Sequence, residues 1–129
     1  MIFDTDILIW IQRGNKAAAL LVNEASERYI SLHSQLELLQ LAPSKTHQRL
    51  AKEFLADLNF TVLPLSEGVG HRALVYSEEF GLSGGLRAGD ALIAATAIEN
   101  NLPLVSSNFK HFKSIKELQL IRFSPRVIG

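Results

Sequence analysis

The chain has 129 residues, 47% of them apolar, no cysteine, and a formal net charge of zero. That length and apolar fraction predict one domain, 1–129, with a core large enough to fold unaided. The missing cysteines exclude disulfide frameworks, thiolate nucleophiles and Cys-based zinc sites, and neutrality excludes the bulk pull of a basic nucleic-acid binder, so a polyanionic ligand would need local cations. No basic N-terminal segment with an apolar run and cleavage site is visible, and no apolar stretch approaches membrane-spanning length. Both observations predict a soluble, cytoplasmic protein with no membrane partner.

In chain order, Met1 to Phe3 reads as a buried strand ending in an acidic turn, Asp4-Thr5-Asp6, and Ile7 to Ile11 as a helix stopping near Arg13-Gly14. Asn15 caps a predicted helix over Lys16–Arg28 with Ala18, Leu21, Val22 and Ala25 on one face. Tyr29–Leu32 is the second strand. Ser34 then opens a helix that ends before Pro43, and Ser44 begins its pair, with Leu50, Phe54, Leu55 and Leu58 along one side. Phe60–Leu65 is the third strand, with Pro64 placing it late in the strand or near an edge. Ser66-Glu67 starts a helix carrying Ala73, Leu74, Tyr76 and Phe80. A glycine-rich loop, Gly81 to Gly89, delivers the chain into a helix over Arg87–Ile98. Asn100-Asn101 closes it, Pro103–Ser106 is the fourth strand and Leu120–Phe123 the fifth, and a tail runs from about 124. Apolar strands alternating with helices imply an α/β fold whose parallel sheet is covered on both faces. Such a sheet puts its site at the carboxyl ends of the strands.

Asp4 ends the first strand, Glu37 sits about one turn into the helix after the second, Asp90 begins the central helix, and Asn108 follows the fourth strand. All four are expected to face one crevice. Each also has a plainer reading. Asp4 and Asp6 suit a turn or cap, Glu37 completes a Ser34-x-x-Glu37 capping box, Asp90 after Gly89 suits a helix N-cap, and Ser106, Asn108 and His111 are ordinary loop residues. Gathered carboxylates repel one another and imply a divalent cation, and an all-oxygen set favours magnesium or manganese. Zinc is disfavoured, because the four histidines show no His-Glu-x-x-His and no close pair.

Four stretches carry a resemblance: Phe3-Asp4-Thr5-Asp6-Ile7-Leu8-Ile9, Ile30 to Leu39, Gly85 to Ala97, and Leu102 to Asn108. In order and spacing the chain resembles PIN domains, and most of all the VapC-type ribonuclease toxins of toxin-antitoxin pairs. The resemblance implies a three-layer α/β/α fold with a central parallel sheet of four to five strands. It also implies a magnesium- or manganese-dependent endoribonuclease whose catalytic and metal-holding carboxylates are Asp4, Glu37 and Asp90. Supporting roles fall to Thr5, Asp6, Ser106, Asn108 and His111, and Arg13, Arg87, Lys110 and Lys113 are the cations expected to steer RNA phosphates. A VapB-like antitoxin and a homodimeric state are the implied protein partners, and the apolar helix pair between Glu37 and Leu58 offers a binding surface.

The chain departs from the family pattern where relatives carry a fourth acid. Asn108 and His111 hold those places, so the site lacks one negative charge. Two alternatives follow: a catalytically degenerate PIN-like domain that binds RNA or protein, and a haloacid-dehalogenase-like phosphatase using Asp4-x-Asp6.

Overall fold

Five short strands form one all-parallel sheet in the computed structural model, which describes residues 1–126. They are β1 (Ile2–Phe3), β2 (Tyr29–Ser31), β3 (Thr61–Leu63), β4 (Leu104–Ser106) and β5 (Leu120–Arg122), arranged β3-β2-β1-β4-β5. The helices are α1 (Thr5–Gln12), α2 (Lys16–Glu24), α3 (Leu32–Leu41), α4 (Lys45–Asp57), α5 (Glu67–Phe80), α6 (Ala88–Glu99) and α7 (Phe109–Phe112). No helix among the described residues is long and apolar enough to cross a membrane.

Alternation along the strands divides the core in two. Ile2 and Leu104 join Val69, Ala73 and Tyr76 of α5 and Ala91, Ala94 and Ala95 of α6. Their neighbours Phe3 and Val105 face the other way, onto Ile7 and Leu8 of α1, Val22 of α2, Leu38 of α3 and Leu55 of α4. Both faces of the inner strands are therefore covered, which explains why β1 is wholly apolar and why β2 and β4 stay apolar up to their closing Ser31 and Ser106. The expected α/β/α arrangement is the one observed, and β3, which ends just before Pro64, lies at the sheet edge as expected.

Three expectations are corrected. The second helix stops at Glu24, and the Arg28 guanidinium donates instead to the Leu58 and Asn23 carbonyls, at 2.7 and 3.0 Å. The second strand stops at Ser31, whose hydroxyl accepts from His33 N at 3.1 Å and caps α3, so Leu32 is already helical. The capping box expected at Ser34 and Glu37 therefore does not form, because helix α3 begins one turn earlier. In the tail, residues 124–126 carry no helix or strand, and the remainder lies outside the described residues.

Candidate active site

The sheet order has a switch point at its centre. From β1 the chain first builds outward through β2 and β3, then crosses to build β4 and β5 on the other side. Connections leaving β1 and β4 diverge to opposite faces and open a crevice at the carboxyl ends of those strands, the preferred ligand position in open α/β sheets. Asp4 directly follows β1, and Ser106 ends β4.

Asp4 is 4% exposed and caps α1. Its Oδ1 accepts from Thr5 N at 2.8 Å and its Oδ2 from the Ser106 hydroxyl at 2.7 Å. Burial pushes this carboxyl up to about 8, with the like charges of Asp6 and Asp90 adding to the effect and the Ser106 and Thr5 hydrogen bonds opposing it. A buried acid in this condition is held in place by two donors but has no ion-pair partner among the described residues.

Thr5 links Asp4 to Glu37. Its Oγ1 lies 2.7 Å from Glu37 Oε1 and 2.8 Å from Ser34 Oγ. A carboxylate only accepts, so Thr5 donates to Glu37 and is free to accept from Ser34. The second contact on Glu37 Oε1 is His33 Nε2 at 3.4 Å, one helical turn away. That imidazole rests on Gly89 of α6, where an added Cβ would stand 2.6 Å from Nε2, so a side chain at this position would displace the ring.

Asp90 lies in the first turn of α6. It is not the N-cap expected of it: Arg87 holds that place, and Asp90, the third residue of the helix, reaches back so that its Oδ2 accepts from Arg87 N at 3.2 Å, while the same oxygen lies 3.3 Å from His111 Nδ1 on α7. Burial raises the Asp90 carboxyl above the ordinary carboxylate range and Glu37 adds to this, against the Arg87 backbone hydrogen bond and the charges of His111 and Arg87. Asp6 points at the loop after β4: Oδ2 accepts from the Ser107 backbone N–H at 2.9 Å and from the Ser107 hydroxyl, while Oδ1 is buried without a hydrogen-bond partner.

Asp4, Glu37 and Asp90 therefore share one electrostatic environment, as expected. They form a linked row, not a closed shell: among the described residues, no three Asp, Glu or His side chains converge on one ion-sized point. Asn108 enters only through its backbone, donating to Ser106 Oγ at 2.9 Å, and its side chain is exposed. Arg87 neighbours Asp90, and Lys110 and Lys113 are exposed on α7 and at its end. Arg13 is not brought to the acids. It caps the opposite end of α1, roughly 13 Å along the helix from Asp4, and stacks 5.9 Å from the Trp10 centroid. Sequence reasoning missed His33, Ser34 and Ser107. The i, i+4 spacing of His33 and Glu37 was the available signal for the first.

The PIN domain family model matches residues 1–118. Ribonuclease VapC1 of Rickettsia felis is 30% identical over 132 residues, covering 98% of both chains. Among solved structures, a toxin-antitoxin complex from Klebsiella pneumoniae is 27% identical with a TM-score of 0.77 and 98% of both chains covered. VapBC-1 from nontypeable Haemophilus influenzae, 23% identical, shares the fold at a TM-score of 0.79 over 95% of this chain and 98% of that one.

Proposed function

This chain belongs to the PIN domain family, and on that footing we propose that it is a magnesium- or manganese-dependent endoribonuclease acting as the toxin of a toxin-antitoxin pair. One observation carries the reading: a buried carboxylate at the switch point, pushed up to about 8, beside two further acids that lack a neutralising lysine or arginine ion pair among the described residues. The residues present fit a hard divalent cation. The crevice acids offer oxygen donors, and the buried Asp6 Oδ1 is unpartnered. This kinship also displaces the haloacid-dehalogenase-like alternative.

Asp4 and Asp90 would hold the cation, with Glu37 sharing it or orienting a water. Bound there, magnesium or manganese lowers the pKa of its water and offsets charge building on the phosphate. Ser106 fixes one Asp4 oxygen and Thr5 N the other, so the carboxylate presents a set orientation. Thr5 Oγ1 fixes Glu37 relative to Asp4 through a single residue. Arg87 is the cation best placed to meet a phosphate beside Asp90, and Lys110 and Lys113 extend positive charge along α7.

The partner reading rests on the relatives' complexes and on a groove between α1, α3 and α4. This groove, of about 600 Å³, is lined by Ile11, Leu38, Leu41, Leu50 and Phe54, and Leu41 and Leu50 are 64% and 51% exposed. An apolar helix from a VapB-like antitoxin would cover these leucines.

A mixed RNA pool incubated with purified protein in magnesium, manganese or EDTA tests the activity. Cleavage that EDTA and Asp90→Asn both abolish supports the nuclease, and the absence of cleavage from folded, antitoxin-free protein overturns it. A second reading, a PIN domain that binds without cutting, is favoured by the outward-facing Asn108 and by an imidazole, not an acid, beside Asp90. Activity that appears only in Asn108→Asp or His111→Asp supports that reading.

A further inference from the structure

The region just beyond the acids, on the β5 side, holds a pair of residues that the chemistry of phosphate hydrolysis does not use. Phe109, the first residue of α7, is 37% exposed, a high value for a phenylalanine. The Arg122 guanidinium carbon lies 5.1 Å from its ring centroid. Arg122 is itself exposed and has no carboxylate partner among the described residues.

Three backbone relationships put this pair at the site. Asn108, immediately before Phe109, donates its N–H to Ser106 Oγ, the same oxygen whose hydroxyl holds Asp4. Arg122 is the β5 residue in register with Ser106, and Phe123 N donates to Ser106 O at 2.9 Å. Paired residues on adjacent parallel strands project to the same face, so Arg122 leaves the sheet beside Ser106. Helix α7 spans the gap: His111 meets Asp90 on one side, and Phe109 meets Arg122 on the other.

We propose that Phe109 and Arg122 form a nucleotide subsite for single-stranded RNA, on which a base next to the scissile phosphate stacks and a neighbouring phosphate is paired. The inference rests on the ribonuclease reading and adds to it the two side chains that seat the nucleotide flanking the scissile phosphate. An aromatic face accepts any base, which suits a chain with no base-reading array. A guanidinium held against the ring keeps a planar donor fork at backbone distance from that base. Zero net charge makes such local help necessary, since no global field collects the polyanion.

The test is fluorescence anisotropy of a labelled, mixed-sequence single-stranded RNA in EDTA, which prevents cleavage, using parent, Phe109→Leu, Phe109→Trp and Arg122→Gln proteins of matched melting temperature. Phe109→Leu retains an apolar side chain but removes the π face. The expected result is a Kd about 5- to 100-fold weaker for Phe109→Leu and parent-like or tighter for Phe109→Trp. For Arg122→Gln, weaker binding with a salt slope shallower by about 0.7 is expected. A duplex of the same sequence should discriminate little between parent and Phe109→Leu. Parent protein that binds single-stranded RNA, with Phe109→Leu binding equally well, overturns the subsite and leaves the ribonuclease reading intact. Parent protein that neither binds nor cuts RNA overturns both.

Discussion

Helix α6 carries an acid near each end, and the fold treats the two differently. At the carboxyl end, Glu99 lies 3.5 Å from the Arg72 guanidinium, which also pairs with Glu117 at 3.1 Å, and the Tyr76 hydroxyl donates to Glu117. Burial and that hydrogen bond push the Tyr76 phenol up to about 12, keeping it protonated as the donor. A carboxylate at a helix carboxyl terminus meets an unfavourable dipole, and here the protein supplies its own cation. At the amino end, where the dipole favours an acid, Asp90 is joined by Asp4 and Glu37, and among the described residues none of the three forms an ion pair with lysine or arginine; the basic groups in contact are His33 on Glu37 and His111 on Asp90. A cavity of about 610 Å³ lies at the Arg72 end, away from these acids. What separates a structural acid cluster from a candidate metal centre is thus the source of the compensating charge, not cavity size or the number of acids.

The sharpest way to break this contrast is to neutralise Asp4. Asp4→Asn is expected to lower metal-dependent RNA cleavage by about a thousandfold, measured at saturating manganese, whereas Arg72→Met at the other end of α6 leaves the rate unchanged. Next in size is Thr5→Val, which removes the hydroxyl between Asp4 and Glu37 while keeping the helix. A 10- to 100-fold loss in cleavage or manganese affinity is expected, with a melting temperature close to that of the parent.

The contrast was only partly legible in the sequence. Asp4 and Asp90 stood out because an acid after an apolar run, or at the head of an alanine-rich helix, needs a reason wherever it is buried. Glu37 was obscured by a capping box that does not form, since Ser31 caps the helix one turn earlier and releases Glu37 to meet Thr5. Helix α7 has four residues, too few for any hydrophobic period to show, so the contact of His111 with Asp90 was not visible. Nor was the pairing of Arg122 with Ser106, which depends on the sheet order. Arg72 with Glu99 and Glu117 joins residues up to 45 apart in sequence, with no local signature.

Two smaller effects sharpen the contrast through stability. Because Asp4 is raised from 3.8 to about 8 in the fold, metal-free protein is most stable below about pH 4 with respect to this group and loses that stability as pH climbs toward 8. Asp4→Asn removes the cost of ionisation. In EDTA it should raise the melting temperature by roughly several degrees at pH 8.5 and leave it unchanged at pH 4. Smallest is Arg72→Met, where loss of two half-exposed ion pairs is expected to lower the melting temperature by about 2–4 °C at any pH between 6 and 8.

The central claim, that the Asp4 end of the crevice binds a divalent cation, is tested most directly by calorimetric titration of manganese into the protein at pH 7, repeated in buffers of different ionisation enthalpy. A carboxyl raised to about 8 is mostly protonated there and must release its proton to take a metal. The account predicts saturable binding with close to one proton released per ion in the parent, and loss of that binding in Asp4→Asn. Binding without proton release, or binding unchanged by Asp4→Asn, would contradict it.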